Sequence, residues 1–246
     1  MRTWRGCIGK KGITGGACCI GSRSNGANTS TLCGVMTNTA ASSASREFDL
    51  VLVGATGFTG RLVAEYLVGR RTALRFALAG RNRAKLESIR DGLASIDASA
   101  RDIPLVIVDT LDTAGVDSLA QRTRVVCTTV GPYARYGRPL VDACATHGTH
   151  YCDLTGETLF VRESIDANHD RAIASGARIV HCSGFDSIPS DLGVWMVHEH
   201  FRAHGKRLAE ARMRVVKMKG TASGGTIASA SPSAQRTYAI ARRVAS

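Results

Sequence analysis

From Phe48 onward, the chain alternates between two hydrophobic patterns. Short apolar runs with the character of buried strands are separated by stretches of about a dozen residues with helical spacing. Because parallel neighbours in a sheet are joined only by long crossovers, this alternation is typical of βαβ units. The sequence therefore predicts an α/β fold with a doubly wound parallel sheet. The predicted strands are Phe48–Val53, Leu74–Ala79, Leu105–Val108, Val125–Val130, His150–Cys152 and Arg178–Cys182, and the predicted helices are Thr59–Val68, Arg83–Leu93, Thr113–Gln121, Arg138–Thr146 and Arg162–Ser175.

The amino-terminal segment lacks this alternation. Residues 1–45 are rich in Gly, Ser, Thr and Asn and have neither a strand nor a helix period, so we expect no packed structure there. Because the segment is basic, hydroxyl-rich and free of acidic residues, it has the composition of an organelle transit peptide. The alternative is that translation starts at Met36 and that the residues before it are a mis-started leader.

The carboxyl-terminal segment predicts only the start of a second domain. A helix is expected after Pro189, with Ser190 as its N-cap and Asp191 in a capping role, followed by a strand over Ala211–Lys219 and a glycine-rich turn over 223–226. One strand cannot form a sheet, so this strand pairs with the main sheet, pairs with another chain, or begins an incomplete α/β domain. We favour the last. The predicted organisation is a leader (1–45), a main domain (46–190) and the start of a substrate domain (191–246).

Composition and charge narrow the class of protein. Of the 246 residues, 44% are apolar and 21% charged, as in soluble globular proteins, and no apolar run approaches the roughly 20 residues of a membrane-spanning helix. The net charge of +12 lies in the ends, +5 in residues 1–45 and +8 in residues 205–246, so the body between them carries −1. We therefore expect no nucleic-acid partner and a cytoplasmic protein. The basic ends are either solvated, which we favour, or in contact with anionic lipid headgroups at the membrane.

Cysteine and histidine give no sign of a metal site. The eight cysteines lack the paired spacing that tetrahedral zinc favours, and a chain of this length without secretory features does not need a disulfide framework. We interpret them as reduced, mostly buried side chains. The histidines share no ligand spacing either, so the sequence predicts no metal.

The strongest local motif is a glycine-rich turn between the first strand and the first helix. Its seven residues are Gly54-Ala55-Thr56-Gly57-Phe58-Thr59-Gly60, a GxxGxxG pattern. Glycines in this position allow a tight turn, close approach of a pyrophosphate and close packing of the helix, whose positive end binds the anion. The motif predicts a dinucleotide-binding Rossmann domain over 46–190, whereas the alternative is a purely structural turn.

The second strand indicates which dinucleotide is bound. A site for NAD has an acidic residue here for the ribose 2′-hydroxyl, but the sequence reads Ala79-Gly80-Arg81-Asn82-Arg83. The planar guanidinium of Arg81 suits a 2′-phosphate, which predicts NADPH as the cofactor. The alternative is that these arginines only begin a solvated helix.

Two further strand ends belong to the predicted site. Asp109, after the third strand, is expected either at the adenine edge or as the cap of the next helix. Gly131 and Pro132 follow the fourth strand at the carboxyl edge of the sheet, where Gly131 lets the backbone approach the cofactor and Pro132 stops the strand.

Five separated segments, in order, carry a resemblance to a known family. The chain resembles the saccharopine dehydrogenase-like oxidoreductases over roughly residues 46–229, and within them the branch of trans-acting enoyl reductases, which act in the biosynthesis of phthiocerol-type and phenolic-glycolipid lipids. The resemblance implies a Rossmann domain followed by a longer substrate domain, hydride transfer from NADPH to an α,β-unsaturated acyl chain, and an acyl-carrier or polyketide synthase partner. The segments are REFDLVLVGATGFTGRLVAEYL, ALAGRNRAKL, VVCTTVGPYARYGRPLVDACATHGTHYCDLTGE, HCSGFDSIPSDLG and SGGTIAS.

Enoyl reduction also needs stabilisation of an enolate oxygen and a proton donor. Candidates at the carboxyl edge of the sheet are Tyr133, Asp153 and Asp186, with Glu157 in the same loop as Asp153. For Tyr133 the alternative is a packing role with a satisfied hydroxyl, and for Asp153 and Glu157 it is loop capping. Asp186 is expected to orient the substrate.

Three functions therefore remain open from the sequence. The first is an NADPH-dependent enoyl reductase of polyketide-type lipid synthesis. The second is a saccharopine dehydrogenase-like oxidoreductase that acts on an amino-acid or small carbonyl substrate. The third is a dinucleotide-binding module without turnover.

Overall fold

One parallel sheet with helices on both faces forms the fold, as the sequence predicts. The computed structural model of the protein describes residues 46–71 and 73–217. The six strands lie in the order β3-β2-β1-β4-β5-β6, so the direction of winding reverses between β1 and β4. They are β1 (Phe48–Val53), β2 (Phe76–Gly80), β3 (Leu105–Ile107), β4 (Thr123–Thr128), β5 (His150–Asp153) and β6 (Ile179–Val180).

Seven α-helices connect and flank these strands within the described residues, together with one 3-10 turn at Ala98–Asp102. The first starts directly after the glycine-rich turn, and the last follows β6. They are α1 (Phe58–Gly69), α2 (Arg83–Leu93), α3 (Thr113–Arg122), α4 (Tyr133–Tyr136), α5 (Arg138–His147), α6 (Thr158–Ser175) and α7 (Ile188–Ala203).

Alternate side chains of the central strands are buried in two separate hydrophobic cores, one on each face of the sheet. On one face, Leu52 of β1 and Leu78 of β2 pack beneath α1 and α2. On the other face, Val51 of β1 and Val126 of β4 pack beneath α3, α5 and α6, together with the fully buried Tyr151 of β5. Because both faces of β1 are covered, its run Phe-Asp-Leu-Val-Leu-Val is mostly apolar rather than alternating, as the parallel pattern requires.

The fourth strand ends earlier than predicted. Thr128 is its last residue, and the N–H of Val130 is bonded to the Thr128 hydroxyl (3.3 Å) instead of a neighbouring strand. The prediction that Pro132 stops this strand is therefore wrong. Pro132 is instead the N-cap of α4.

The last helix begins before the predicted cap. Its N-cap is Ser187, because Pro189 lies in the first turn, where a fixed φ and a missing N–H suit a helix start. Ser190 is therefore inside the helix, and Asp191 lies in the first turn, where a negative charge is stabilising. The predicted domain boundary between 190 and 191 falls within α7 and stays a prediction.

The predicted strand over Ala211–Lys219 is not formed in the part that the structure describes. Residues 211–217 contain no strand, and none of the described sheet edges pairs with them. An isolated extended segment gains no ladder hydrogen bonds, which is the physical reason. Three predicted features lie outside the described residues: the leader, the last two residues of this strand, and the turn over 223–226. Within residues 46–71 and 73–217, no helix combines the length and hydropathy needed to cross a bilayer.

The packing of α1 against the glycine-rich turn gives a first test of the fold. A Cβ placed on Gly60 would lie 2.1 Å from the Gly54 carbonyl oxygen, so Gly60→Ala forces the helix away from the strand. We expect a loss of about 1–3 kcal/mol in unfolding free energy, measured by chemical denaturation. The Cβ of Gly69→Ala, at the end of the same helix, meets no atom of the described residues within 4 Å, so this change should stabilise by about 0.5–1 kcal/mol. Equal effects of the two changes would contradict this packing.

Candidate functional site

The carboxyl ends of β1 to β4 enclose a cleft at the point where the winding of the sheet reverses. Its volume is about 390 Å³, in the range of small-molecule and cofactor sites. Open α/β sheets bind ligands at this position. Most of the predicted cofactor residues line it. The lining residues are Val53, Gly54, Thr56, Gly57, Phe58, Thr59, Gly60, Gly80, Arg81, Val108, Thr110, Thr129, Val130, Gly131 and Tyr136.

The first glycine of the motif makes the turn out of β1. Gly54 has φ +91°, a conformation that side chains rarely adopt. A Cβ on it would also lie 2.7 Å from Cγ2 of Val130 and 2.8 Å from Oγ1 of Thr129. The turn therefore allows close contact between the loops after β1 and β4, and residues of both loops line the cleft.

The second glycine of the motif is not required by the packing of the protein. Gly57 is the N-cap of α1 and has ordinary extended backbone angles, φ −79° and ψ 165°. Among the described residues, a Cβ on it would contact only the Gly54 carbonyl oxygen, at 3.4 Å, which the fold accommodates. Gly57 nevertheless lines the cleft and is exposed. A small residue here keeps space open for a group that comes close to the backbone.

The amino end of α1 is suited to an anion. Its first N–H groups have no carbonyl one turn earlier, and Gly57 has no side chain that could cap them. The first turn carries no acidic residue that would compete with a negative ligand. The macrodipole adds partial positive charge at the same place. The turn and helix together therefore fit a diphosphate.

Arg81 lies at one end of this cleft, after β2. Its side chain is 69% exposed, and its Nη1 lies 3.9 Å from Oδ2 of Asp109, a distance that holds the guanidinium only loosely. Arg83 points to Glu87 along the surface of α2, 4.0 Å away. Arg81 is thus the arginine that lines the cleft and remains available to a phosphate.

Asp109 lies beside the cleft, after β3, and pairs with Arg81. The cap of α3 is Asp112, whose carboxylate accepts from the N–H of Ala114 (3.2 Å), so the prediction that Asp109 caps this helix is wrong. The Asp109 carboxylate accepts from the N–H of Leu111 (3.0 Å) within its own turn and pairs with Arg81. Its predicted place at the adenine edge stays a prediction.

The far end of the cleft is built from the segment after β4. Gly131 lines it, as predicted, while Pro132 lies behind it at the start of α4. Tyr136, at the end of α4, also lines the cleft and is half-buried. Tyr136 is not among the residues predicted from the sequence, although its three-residue spacing from Tyr133 places the two rings near one side of a helical turn.

Tyr133 lies in the core, in agreement with its packing alternative. It is buried, its ring centroid lies 5.9 Å from that of Phe160, and its hydroxyl donates to the Thr128 carbonyl (3.3 Å). Burial, and next the negative charge of Asp153, raise the pKa of the Tyr133 hydroxyl well above its usual range. A hydroxyl in this state is a poor proton donor for a reaction in the cleft.

Asp153 is buried in a polar network beneath the carboxyl edge. Its Oδ2 accepts from the Tyr151 hydroxyl (2.9 Å) and lies 2.7 Å from Nδ1 of His181, while Oδ1 accepts from the N–H groups of Thr155 and Cys182, both at 3.1 Å. Nε2 of His181 in turn lies 2.9 Å from the hydroxyl of Ser164. The carboxylate thus joins the loops after β5 and β6.

The other two acidic candidates differ in their surroundings. Asp186 is exposed and lies in the loop after β6, where a Cβ on Gly184 would meet its Oδ1 at 2.6 Å. Glu157 caps α4, since its two carboxylate oxygens accept from the N–H groups of Tyr133 and Ala134, both at 2.8 Å. Tyr133, Asp153 and Asp186 are not among the lining residues of the cleft, so the structure does not bring the three predicted catalytic side chains together there.

Four of the eight cysteines lie in the described residues, and all four are free: Cys127, Cys144, Cys152 and Cys182. Cys144 is buried, whereas the other three are partly buried, and Cys127 packs against the core beneath α1 and α2. Among the described residues, no three His, Cys, Asp or Glu side chains gather as a metal ion would need.

The chain is similar in sequence to known proteins. The chain is 47% identical over 207 residues to a trans-acting enoyl reductase of Mycobacterium ulcerans, an alignment that covers 83% of this chain and 47% of the relative. A second relative of that name, from Mycobacterium leprae, is 51% identical over 153 residues, covering 62% of this chain and 36% of the relative. The chain therefore spans less than half the length of these curated relatives.

A solved structure has the same fold. The apo saccharopine dehydrogenase (L-Glu forming) of Saccharomyces cerevisiae superposes with a TM-score of 0.51 at 14% identity, covering 64% of this chain and 32% of the yeast chain. In addition, the family described as the saccharopine dehydrogenase NADP binding domain matches residues 50–180. That match includes the glycine-rich turn, Arg81 and the end of β4, and it covers more than half of the sequence. The chain thus belongs to the saccharopine dehydrogenase NADP-binding domain family.

Proposed function

We propose that the cleft binds NADPH and that the protein acts as a trans-acting enoyl reductase in the synthesis of polyketide-type lipids. The observation that supports the cofactor is the uncapped amino end of α1 beside Gly57, with Arg81 at the end of β2. The 47–51% identity to relatives named trans-acting enoyl reductase supports the reaction. The proposed substrate is an acyl chain held on a carrier domain of a polyketide synthase, and the proposed location of the protein is the cytoplasm.

Each part of the cleft has a proposed task in holding the cofactor. The first turn of α1 binds the pyrophosphate, because its N–H groups and its dipole both favour negative charge. Arg81 binds the 2′-phosphate of the adenosine half through its planar guanidinium, which the Asp109 carboxylate, 3.9 Å away, holds only loosely. The segment from Thr129 to Gly131 then receives the other half of the dinucleotide at the end of β4.

The proposed reaction is the two-electron reduction of a carbon–carbon double bond. Bound NADPH would supply a hydride to the β-carbon of the α,β-unsaturated acyl group. The α-carbon must then gain a proton, and the thioester oxygen needs a donor while it carries negative charge. Of the three predicted catalytic side chains, Asp186 has an exposed carboxylate, and we propose that it orients the substrate. Tyr133 and Asp153 act on the site through the loops that they hold in place.

The charge at position 81 is expected to set the preference for the cofactor. Arg81→Glu removes the partner of the 2′-phosphate and adds repulsion, so we expect about 10- to 100-fold weaker NADPH binding and an unchanged or better affinity for NADH. Fluorescence titration with both nucleotides measures this change. Arg83→Glu is the matched control, because Arg83 does not line the cleft, and its affinities should stay within about threefold. A larger loss of NADPH affinity in Arg83→Glu than in Arg81→Glu would show that Arg83, and not Arg81, binds the 2′-phosphate.

The proposed reaction is tested by following NADPH oxidation with defined substrates. We expect absorbance at the nicotinamide band to fall with an enoyl thioester on an acyl carrier protein, and not with mixtures of free amino and keto acids, whose imines NADPH could reduce. Saccharopine is already reduced, so it is tested in the opposite direction, where it should not reduce NADP+. Turnover with the amino-acid substrates alone would favour the saccharopine dehydrogenase-like alternative. Tight NADPH binding without turnover on either class would favour a binding module instead.

A further inference from the structure

Tyr136 is the aromatic side chain at the β4 end of the cleft. It lines the cleft together with Thr129, Val130 and Gly131, whereas Arg81 lines the opposite end after β2. The sheet order places β2 and β4 on the two sides of β1, so the amino end of α1 lies between Arg81 and Tyr136. A dinucleotide with its pyrophosphate on α1 and its adenosine half beside Arg81 therefore directs its other half toward Tyr136.

The short helix that carries Tyr136 is fixed at both ends. At its start, the carboxylate of Glu157 accepts from the N–H groups of Tyr133 and Ala134, both at 2.8 Å, and so anchors the helix to the loop after β5. At its end, Gly137 is buried, and a Cβ there would lie 2.8 Å from Cζ of Phe160. A helix of four residues has little stability of its own. These tertiary contacts therefore determine where the Tyr136 ring lies.

The ring itself is further restrained by its neighbour. The guanidinium of Arg135 lies 5.0 Å from the centroid of the Tyr136 ring, within the range of a cation–π contact. Tyr136 is half-buried, so part of the ring is covered by protein while another part lines the cleft. A planar, partly desolvated aromatic surface at a fixed position suits a planar aromatic ligand.

We propose that the Tyr136 ring is the wall against which the nicotinamide half of the dinucleotide packs, and that Glu157 is the positioning residue that holds it there. This proposal rests on the proposed binding of NADPH in the cleft. It assigns to Tyr136 a contact with the ring of the cofactor, and it assigns to Glu157 an effect that acts only through α4.

Fragments of the cofactor separate this role from a general effect on the cleft. NADPH contains both halves, while adenosine 2′,5′-bisphosphate contains the adenosine half alone. For Tyr136→Ala we expect about tenfold weaker binding of NADPH and binding of the bisphosphate within twofold of wild type, by isothermal titration calorimetry. Tyr136→Phe keeps the ring and should retain both affinities. Glu157→Gln should weaken NADPH binding by about threefold and leave the bisphosphate unchanged.

A matched control lies on α1. Tyr66 is exposed and also lies beside an arginine, with the Arg70 guanidinium 5.9 Å from its ring centroid, but it does not line the cleft. Tyr66→Ala should leave both affinities unchanged. If Tyr136→Ala is poorly folded by circular dichroism, Tyr136→Leu provides the same comparison with a side chain of similar bulk and no aromatic plane.

Each outcome bears on a definite part of the proposal. Equal loss of both ligands in Tyr136→Ala, or no loss of NADPH, would overturn the role of the ring. A loss in Tyr136→Phe as large as in Tyr136→Ala would assign the effect to the hydroxyl and overturn the proposal as well. Failure of the folded wild-type protein to bind NADPH would instead overturn the proposed function, so the two failures are distinguishable.

Discussion

Gly57→Val is expected to weaken NADPH binding at least about 100-fold while the protein remains folded. The extended backbone at Gly57 accepts any side chain, and the protein atom that a Cβ would meet is the Gly54 carbonyl oxygen, at 3.4 Å. The new side chain would instead occupy the space before the first turn of α1. A pyrophosphate held away from these N–H groups loses charge-assisted hydrogen bonds, each of about 1.5–3 kcal/mol. Titration of NADPH, with the unfolding free energy measured in parallel, tests both parts.

The control for this change is Gly92→Val in α2. A Cβ on Gly92 would meet no atom within 4 Å in the part of the chain that the structure describes, and Gly92 does not line the cleft. Valine there should therefore leave NADPH binding within about twofold. If Gly57→Val bound NADPH within threefold of wild type, the anion would have to lie somewhere other than the amino end of α1. Loss of the fold in Gly57→Val would contradict the interpretation that a ligand, and not packing, requires this glycine.

Asp153→Ala is expected to destabilise the protein by about 3–5 kcal/mol. The change removes the acceptor for the Tyr151 hydroxyl and for the N–H groups of Thr155 and Cys182, and it leaves the buried His181 without its carboxylate. Buried polar groups that lose their partner cost far more than the net value of one hydrogen bond. Chemical denaturation measures the loss, which is a large part of the total stability of a typical domain.

Asp186→Ala is the matched comparison at the same edge of the sheet. Its carboxylate is exposed, so the unfolding free energy should change by less than about 0.5 kcal/mol. A loss below about 1 kcal/mol in Asp153→Ala would show that the network around His181 is not essential to the fold. In that case the two loops that Asp153 joins would have to be held by other contacts.

The sheet and the phosphate end of the site were predictable from the sequence because their signals are local. A buried strand, a GxxGxxG turn and a helix follow one another between Phe48 and Gly69, and Arg81 follows the next strand directly. Each of these positions is fixed by backbone geometry close to it in the chain. The structure accordingly places Gly54, Gly57, Gly60 and Arg81 in the cleft.

The other end of the site was not predictable, because it depends on contacts between distant segments. The helix that carries Tyr136 has only four residues, too few for a periodic pattern, and Glu157, its cap, is 24 positions from Tyr133 along the chain. Nothing local shows which of the two tyrosines faces the core. Packing of Tyr133 against Phe160 decides it, and leaves Tyr136 at the cleft.

Asp153 illustrates the same limit for a charged residue. An acidic side chain after a parallel strand is a reasonable candidate for the ligand edge. Its burial depends on His181 and Cys182, which β6 brings from almost thirty residues further along the chain. The same limit applies to the strand predicted over Ala211–Lys219 from its hydrophobic pattern. A strand is stabilised by a neighbouring strand, and residues 211–217 pair with no strand of the described sheet.

Isothermal titration calorimetry of the folded chain with NADPH and with NADH tests the central claim most directly. If the cleft holds a dinucleotide with its pyrophosphate on α1 and its 2′-phosphate on Arg81, NADPH should bind with one site per chain and at least about tenfold more tightly than NADH. Absence of binding by either nucleotide, in a sample whose circular dichroism shows the α/β fold, would contradict it.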